Sequence, residues 1–64
     1  MATKQIATVK FLKNGKVFRT ETIPTFKSYI DKDVIFDVRC QLEKKGIVIG
    51  KADYDTVIVT REYL

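Results

Sequence analysis

The stretch from Asp33 to Ile49, DVIFDVRCQLEKKGIVI, decides the fold, because most of the predicted core depends on its interpretation. Apolar residues occupy every second position from 34 to 42, and only Ile35 breaks the alternation. Successive side chains of a β-strand point to opposite faces, so this pattern gives one apolar and one polar face. We interpret the stretch as a long β-hairpin whose turn is 43–46, with Gly46 at a positive φ.

A helix is the alternative interpretation of the same stretch. Val34, Val38 and Leu42 would share one side of a helix, although two other apolar residues would leave that side. The sequence RCQLEKKG also ends as many helices end, with lysines in the last turn and Gly46 at the left-handed cap position. This alternative predicts an α+β fold of order ββαββ with a helix near 31–45.

Residues 3–23, TKQIATVKFLKNGKVFRTETI, predict a second hairpin. Asn14 and Gly15 lie between two apolar-rich runs, and this pair favours a type I′ turn because both of its central residues need a positive φ. The resulting register pairs Lys13 with Lys16, Leu12 with Val17, Phe11 with Phe18, Lys10 with Arg19 and Val9 with Thr20.

That register assigns each residue of the first hairpin to one of two faces. The predicted core face holds Ala7, Val9, Phe11, Phe18, Thr20 and Thr22. The second face combines apolar with basic residues and holds Ile6, Lys10, Leu12, Val17, Arg19 and Ile23. Like charges opposed on a sheet destabilise it slightly, so the pairing of Lys10 with Arg19 suggests a solvated surface or a bound anion.

The remaining segments complete a mainly β prediction. Pro24 is expected to end the second strand because it lacks a backbone donor. Residues 24–32 form a connector whose apolar side chains would cap one end of the core: Phe26, Tyr29 and Ile30. A last strand over 56–63 points Val57 and Val59 inward. The predicted fold is a small antiparallel barrel or folded-over sheet of about five short strands, in one domain spanning 1–64.

Composition argues against most enzymes and against a membrane protein. The 64 residues include no histidine and one cysteine, Cys40, which we expect to be a small core residue. Nucleophile–histidine arrangements and Cys/His metal sites are therefore excluded, and we predict no cofactor and no catalytic activity. No signal peptide or apolar transmembrane segment is evident, and a lone thiol suits a reducing compartment, so the expected location is cytoplasmic.

The aspartates form the one set of residues that suggests a cation. In the predicted register they gather at one end of the long hairpin: Asp31, Asp33, Asp37, Asp53 and Asp55. Clustered carboxylates bind calcium or magnesium, but this spacing matches no known binding loop. Turn formation and solubility explain the same residues, so we predict no bound metal.

The basic residues are concentrated in the first part of the chain, where residues 1–27 carry six basic side chains and one acidic side chain. The residues assigned to partner binding are Lys10, Lys13, Lys16, Arg19, Leu12 and Val17. Two hypotheses follow. In the first, the chain acts through protein–protein contact, as a homo-oligomer or as a regulator of the kind that small phage and plasmid genomes encode. In the second, the basic hairpin binds nucleic acid.

Overall fold

The computed structural model describes residues 4–63 and shows three strands and one helix in that range. The elements are β1 (Lys4–Lys13), β2 (Lys16–Phe26), α1 (Asp31–Lys44) and β3 (Thr56–Tyr63). Both strand pairings are antiparallel, and the strand order is β2-β1-β3. The prediction of a mainly β chain is confirmed, but the sheet is open and has three strands, so the predicted barrel and the five-strand count are wrong.

The stretch that decides the fold is a helix over most of its length. Val34, Val38 and Leu42 are buried at intervals of four residues, which places them on one stripe facing the sheet. Phe36, which a strand would place on the same apolar face as Val34 and Val38, is instead 65% exposed. The predicted long hairpin is therefore wrong, and the helix of the alternative interpretation forms. The strand expected after the helix does not form. Residues 47–50 have no regular secondary structure.

Gly46 ends the helix through its backbone conformation. Its φ is 85°, which confirms the positive φ that both interpretations required. The Gly46 N–H donates to the Glu43 carbonyl over 3.0 Å, and the Ile47 N–H donates to the Leu42 carbonyl over 2.9 Å. These two bonds are a Schellman motif, and Ile47 packs against the core as that motif usually requires. The chain therefore leaves the helix in a fixed direction.

The core lies between the helix and the central strand. Ala7, Val9 and Phe11 of β1 are fully buried, and they face the buried stripe of α1. Partly buried side chains from the helix, from both edge strands and from the loops complete the cluster: Ile23, Ile35, Ile47, Tyr54, Val57 and Val59. The inward positions predicted for Val57 and Val59 are thus confirmed.

The first hairpin forms with its predicted turn but with a shifted register. Asn14 and Gly15 have φ values of 54° and 78°, as a type I′ turn requires. Leu12 pairs with Val17 as predicted, but an irregularity follows and Phe11 pairs with Arg19. A one-residue shift reverses the face of every later side chain. The shift contradicts the predicted pairs Phe11–Phe18, Lys10–Arg19 and Val9–Thr20.

The bulge exchanges residues between the two faces of β2. Thr20 and Thr22, predicted to be in the core, are exposed, and Phe18 is 46% exposed. Ile23, predicted on the second face, packs against the core instead. The shifted register packs Ile23 against the core and leaves the hydroxyl groups of Thr20 and Thr22 in water. This arrangement is more favourable than the predicted register, which would bury the two threonines and expose the isoleucine.

The second strand does not end at Pro24. It continues to Phe26, because β2 is an edge strand where a nitrogen facing away from β1 needs no hydrogen. The predicted apolar cap over the core is also absent: Tyr29 and Ile30 are exposed, and Phe26 contacts Tyr29 with ring centroids 5.9 Å apart.

Replacing Gly46 with alanine will destabilise the protein by about 1 kcal/mol, because a Cβ is disfavoured at positive φ. No atom would contact the added Cβ, so the cost is conformational. Gly50→Ala is the matched control, since its Cβ would meet only Asp53 Oδ2 at 3.5 Å. Urea unfolding followed by circular dichroism measures both; equal midpoints for the two variants would contradict the Schellman assignment.

Candidate functional site

The sheet face opposite the helix is a surface that no described part of the chain covers. The molecule measures 37 × 25 × 16 Å, and its shortest dimension accommodates one sheet and one helix layer. The register assigns the following side chains to this face, which we call the open face: Lys4, Ile6, Thr8, Lys10, Leu12, Val17, Thr20, Thr22, Pro24, Phe26, Thr56, Ile58, Thr60 and Glu62.

The open face is unusually poor in charge for a solvent-facing sheet surface. Three of its 14 residues are charged, namely Lys4, Lys10 and Glu62, whereas Asp, Glu, Lys and Arg make up 31% of the chain. Aliphatic side chains lie among the threonines, and Val17 and Ile58 are 49% and 43% exposed. A sheet with one face on its core usually carries polar residues on the other, so a continuous aliphatic and threonine surface indicates an interaction site.

The six residues predicted to bind a partner do not form one site. Lys10, Leu12 and Val17 lie together on the open face. Lys13 and Lys16 flank the hairpin turn, and the Lys13 Nζ donates to the Ala52 carbonyl over 3.5 Å. The outward residues of β3 had no predicted role, although their alternation is visible in the sequence.

Arg19 points to the opposite side of the sheet because of the bulge. Its Nε lies 3.1 Å from Glu21 Oε1, an ion-pair contact that lacks the angle of a hydrogen bond. The predicted opposition of Lys10 and Arg19 on a shared basic surface is therefore absent.

A polar network closes the end of the sheet away from the hairpin turn. Arg61 Nη2 donates to Asp31 Oδ1 over 2.8 Å, and Nη1 donates to Gln5 Oε1 over 3.4 Å and to the Phe26 carbonyl over 3.3 Å. This single guanidinium thus connects all three strands and the start of the helix. Because Asp31 is largely exposed, the ion pair itself adds little stability, and the network mainly positions the elements.

The five aspartates do not converge on a cation site. Asp31 pairs with Arg61, Asp53 Oδ2 accepts the Gly50 N–H over 2.7 Å, and Asp55 Oδ2 accepts the Asn14 N–H over 3.0 Å. Within residues 4–63 no three acidic or cysteine side chains are grouped closely enough to bind a metal ion. Cys40, expected in the core, is only partly buried on the flank of α1.

Asp55 links the last loop to the hairpin turn. Its backbone N–H donates to the Leu12 carbonyl over 3.0 Å, while its carboxylate accepts from Asn14. The backbone hydrogen bond from Asn14 is the main reason that the pKa of Asp55 lies below its ordinary value of 3.8. The carboxylate therefore holds the loop over 50–55 in place while it is ionised.

The comparisons with known proteins give no relative: the sequence matches no family model, no curated protein and no solved structure. In the part of the chain that the structure describes, no helix is long and apolar enough to cross a membrane. The fold and its surfaces are therefore the basis for any functional assignment.

The contribution of Asp55 to stability will depend on pH. Because its pKa is lower in the folded state, the stabilisation is present above the ordinary pKa and is lost as the pH falls through the folded pKa. Thermal unfolding from about pH 6 to about pH 3 should show a smaller loss of stability for Asp55→Asn than for the unchanged protein. Asp37→Asn, which removes a helix carboxylate without a hydrogen-bond partner among the described residues, is the control; an unaltered pH profile for Asp55→Asn would contradict the assignment.

Proposed function

We propose that this protein is a non-catalytic binding protein that self-associates through the open face. The observation that carries this proposal is an uncovered sheet face on which aliphatic and threonine side chains predominate and only Lys4, Lys10 and Glu62 are charged. Two such faces packed together would bury the aliphatic side chains that one copy leaves in water. The absence of histidine from the sequence further supports a non-catalytic role.

The charges on the open face favour a second copy over an unrelated partner. Lys10 and Lys4 lie on β1, and Glu62 lies on β3 opposite Ile6, so Lys10 and Glu62 are separated along the strands while Lys4 lies diagonal to Glu62. Consider two copies packed face to face and related by a two-fold axis that lies in the contact plane and bisects the line from Lys10 to Glu62. This axis places Lys10 of one copy over Glu62 of the other. Each Lys10 then meets the Glu62 of the other copy, so the face is complementary to itself.

The size of the open face limits the strength of a dimer. Three strands with about eight paired positions cover roughly 14 by 26 Å at ordinary strand dimensions. Two such faces cover roughly 730 Å² in projection, which is below the about 1,200 Å² in total that the smallest standard specific interfaces bury. We therefore expect a reversible dimer, in which Leu12 and Val17 supply apolar contact near the hairpin end.

Nucleic-acid binding by the first hairpin is the alternative function. It was suggested by the basic residues of the first 27 positions, and the bulge separates those residues between two faces and the turn. Glu21 also neutralises Arg19 locally. A continuous basic track along the hairpin is thus missing from residues 4–26, which favours protein contact.

Reversing one charge on the open face will weaken dimerisation, and reversing both will restore it. Lys10→Glu places two pairs of carboxylates together and should raise the dissociation constant by about tenfold. Lys10→Glu combined with Glu62→Lys recreates the pairs with opposite polarity. Sedimentation equilibrium measures the constants, and a double variant as weak as the single one would exclude the proposed two-fold geometry.

The apolar part of the contact has its own matched pair of variants. Ile58→Lys lies on the open face and should give a monomer, whereas Val48→Lys lies off that face on a side chain that is 73% exposed and should leave the dimer intact. Circular dichroism establishes that both variants are folded. A monomeric unchanged protein at high concentration would overturn self-association and leave the open face to a different protein.

The nucleic-acid alternative predicts a different response to salt. Affinity for a mixed-sequence duplex would fall steeply as salt rises and would decrease when Lys10, Lys13 and Lys16 are changed to glutamine. Under our proposal the mass in solution is unchanged by the duplex, and the dimer persists at high salt. Fluorescence anisotropy of a labelled duplex, measured at two salt concentrations, separates the two functions.

A further inference from the structure

A second candidate site lies on the other side of the molecule, between the helix and the loop over 50–55. It is a cavity of about 440 Å³, open to solvent on one side. The lining residues come from one flank of α1 and from the loop: Lys32, Ile35, Phe36, Arg39, Lys51 and Tyr54. Sites for small molecules commonly fall in the range of about 300 to 1,000 Å³. We call this cavity the basic groove.

The basic groove carries three cationic side chains and no acidic one. Lys32, Arg39 and Lys51 form no ion pair within residues 4–63. Arg39 is fixed by its Nε, which donates to the Ile49 carbonyl over 3.0 Å. Its two terminal nitrogens have no hydrogen-bond partner in the described chain. Three unpaired cations around one cavity create a positive potential that an anion would lower.

The floor of the groove is apolar and includes two aromatic rings. Phe36 is 65% exposed, so its ring is accessible to a molecule in the groove. Tyr54 is half-buried and contacts Phe11 edge-to-face, with centroids 5.1 Å apart at 64°. The ring of Tyr54 is therefore anchored to the core, whereas the ring of Phe36 is largely exposed.

The elements that line the groove are held in position without a ligand. The Gly50 N–H donates to Asp53 Oδ2, and the Asp53 N–H donates to the Gly50 carbonyl, so the turn that carries Lys51 is closed on itself. The Asp55 N–H attaches the end of the loop to β1. A site that is formed before binding loses less entropy when the ligand arrives.

We infer that the basic groove binds a planar aromatic ring that carries a phosphate, as in a nucleotide. The phosphate is recognised by Lys32, Arg39 and Lys51, and the ring stacks on Phe36. Each half of the ligand makes only part of the contacts: the phosphate pairs with the cations, and the aromatic ring covers the exposed Phe36 ring. This function is independent of the open face, which lies on the opposite side of the sheet from α1.

The ligand chemistry is tested by titration with compounds that each contain one part of the proposed group. Adenosine monophosphate should shift the amide resonances of the groove residues in ¹H–¹⁵N spectra. Inorganic phosphate and adenosine should each bind at least about tenfold more weakly, since each loses one set of contacts. Adenosine or phosphate binding as tightly as the monophosphate would overturn the proposal, as would the absence of shifts at the groove.

Variants at exposed positions separate recognition from folding. Lys32→Gln with Lys51→Gln should weaken binding of adenosine monophosphate by about tenfold, whereas Lys44→Gln with Lys45→Gln makes the same change in net charge at the end of the helix, outside the groove, and should weaken it far less. Phe36→Ala should also weaken binding on the order of tenfold, and Phe36→Tyr should restore most of it. Equal effects from the two pairs of lysine variants would show that only net charge matters and would overturn the proposal.

The source of the nucleotide is determined by one further titration. A short single-stranded oligoadenylate that binds more tightly than the monophosphate, with the same groove resonances shifted, assigns the groove to a nucleic-acid strand. Equal affinity assigns it to a free nucleotide. Shifts from the oligonucleotide that avoid the groove would overturn the inference. Sedimentation of the groove variants should show the mass of the unchanged protein, which keeps this test separate from that of the open face.

Discussion

The packing of one helical stripe against one strand is the interaction on which the rest of this structure depends. Val34, Val38 and Leu42 cover the central strand, where Val9 and Phe11 are fully buried. Each such side chain contributes about 1.5 to 3 kcal/mol on burial, while a domain of this size retains only a few kcal/mol of net stability. The loss of one of these buried side chains would therefore remove a large fraction of the net stability of the fold.

That packing also determines which surfaces remain for function. One helix covers one face of the sheet, so the opposite face stays uncovered in a two-layer domain. The bulge near Phe18 decides what that face contains, because it turns Ile23 inward and leaves Thr20 and Thr22 outside. Core packing thus explains why the open face is uncovered. It does not explain why that face carries few charged residues.

The two candidate sites share a structural support although they lie on opposite sides of the sheet. The loop over 50–55 is attached to β1 and to the hairpin turn by Asp55, and it supplies Lys51 and Tyr54 to the basic groove. Tyr54 in turn contacts Phe11 in the core. Changes in the first hairpin can therefore alter the groove without touching its lining residues.

The sequence by itself determined the features that depend on neighbouring residues. The Asn14–Gly15 turn, the positive φ of Gly46 and the inward alternation of β3 all follow from local backbone preferences, and each was predictable. Tertiary structure decided whether 33–49 is strand or helix, because its pattern satisfied both periods and only the apolar face of the first hairpin could select one. It also decided the bulge at Phe18, where burying Ile23 outweighed a regular ladder, and it placed Lys51 of the following loop beside Lys32 and Arg39 of α1. Such contacts depend on how complete surfaces fit, which no local pattern encodes.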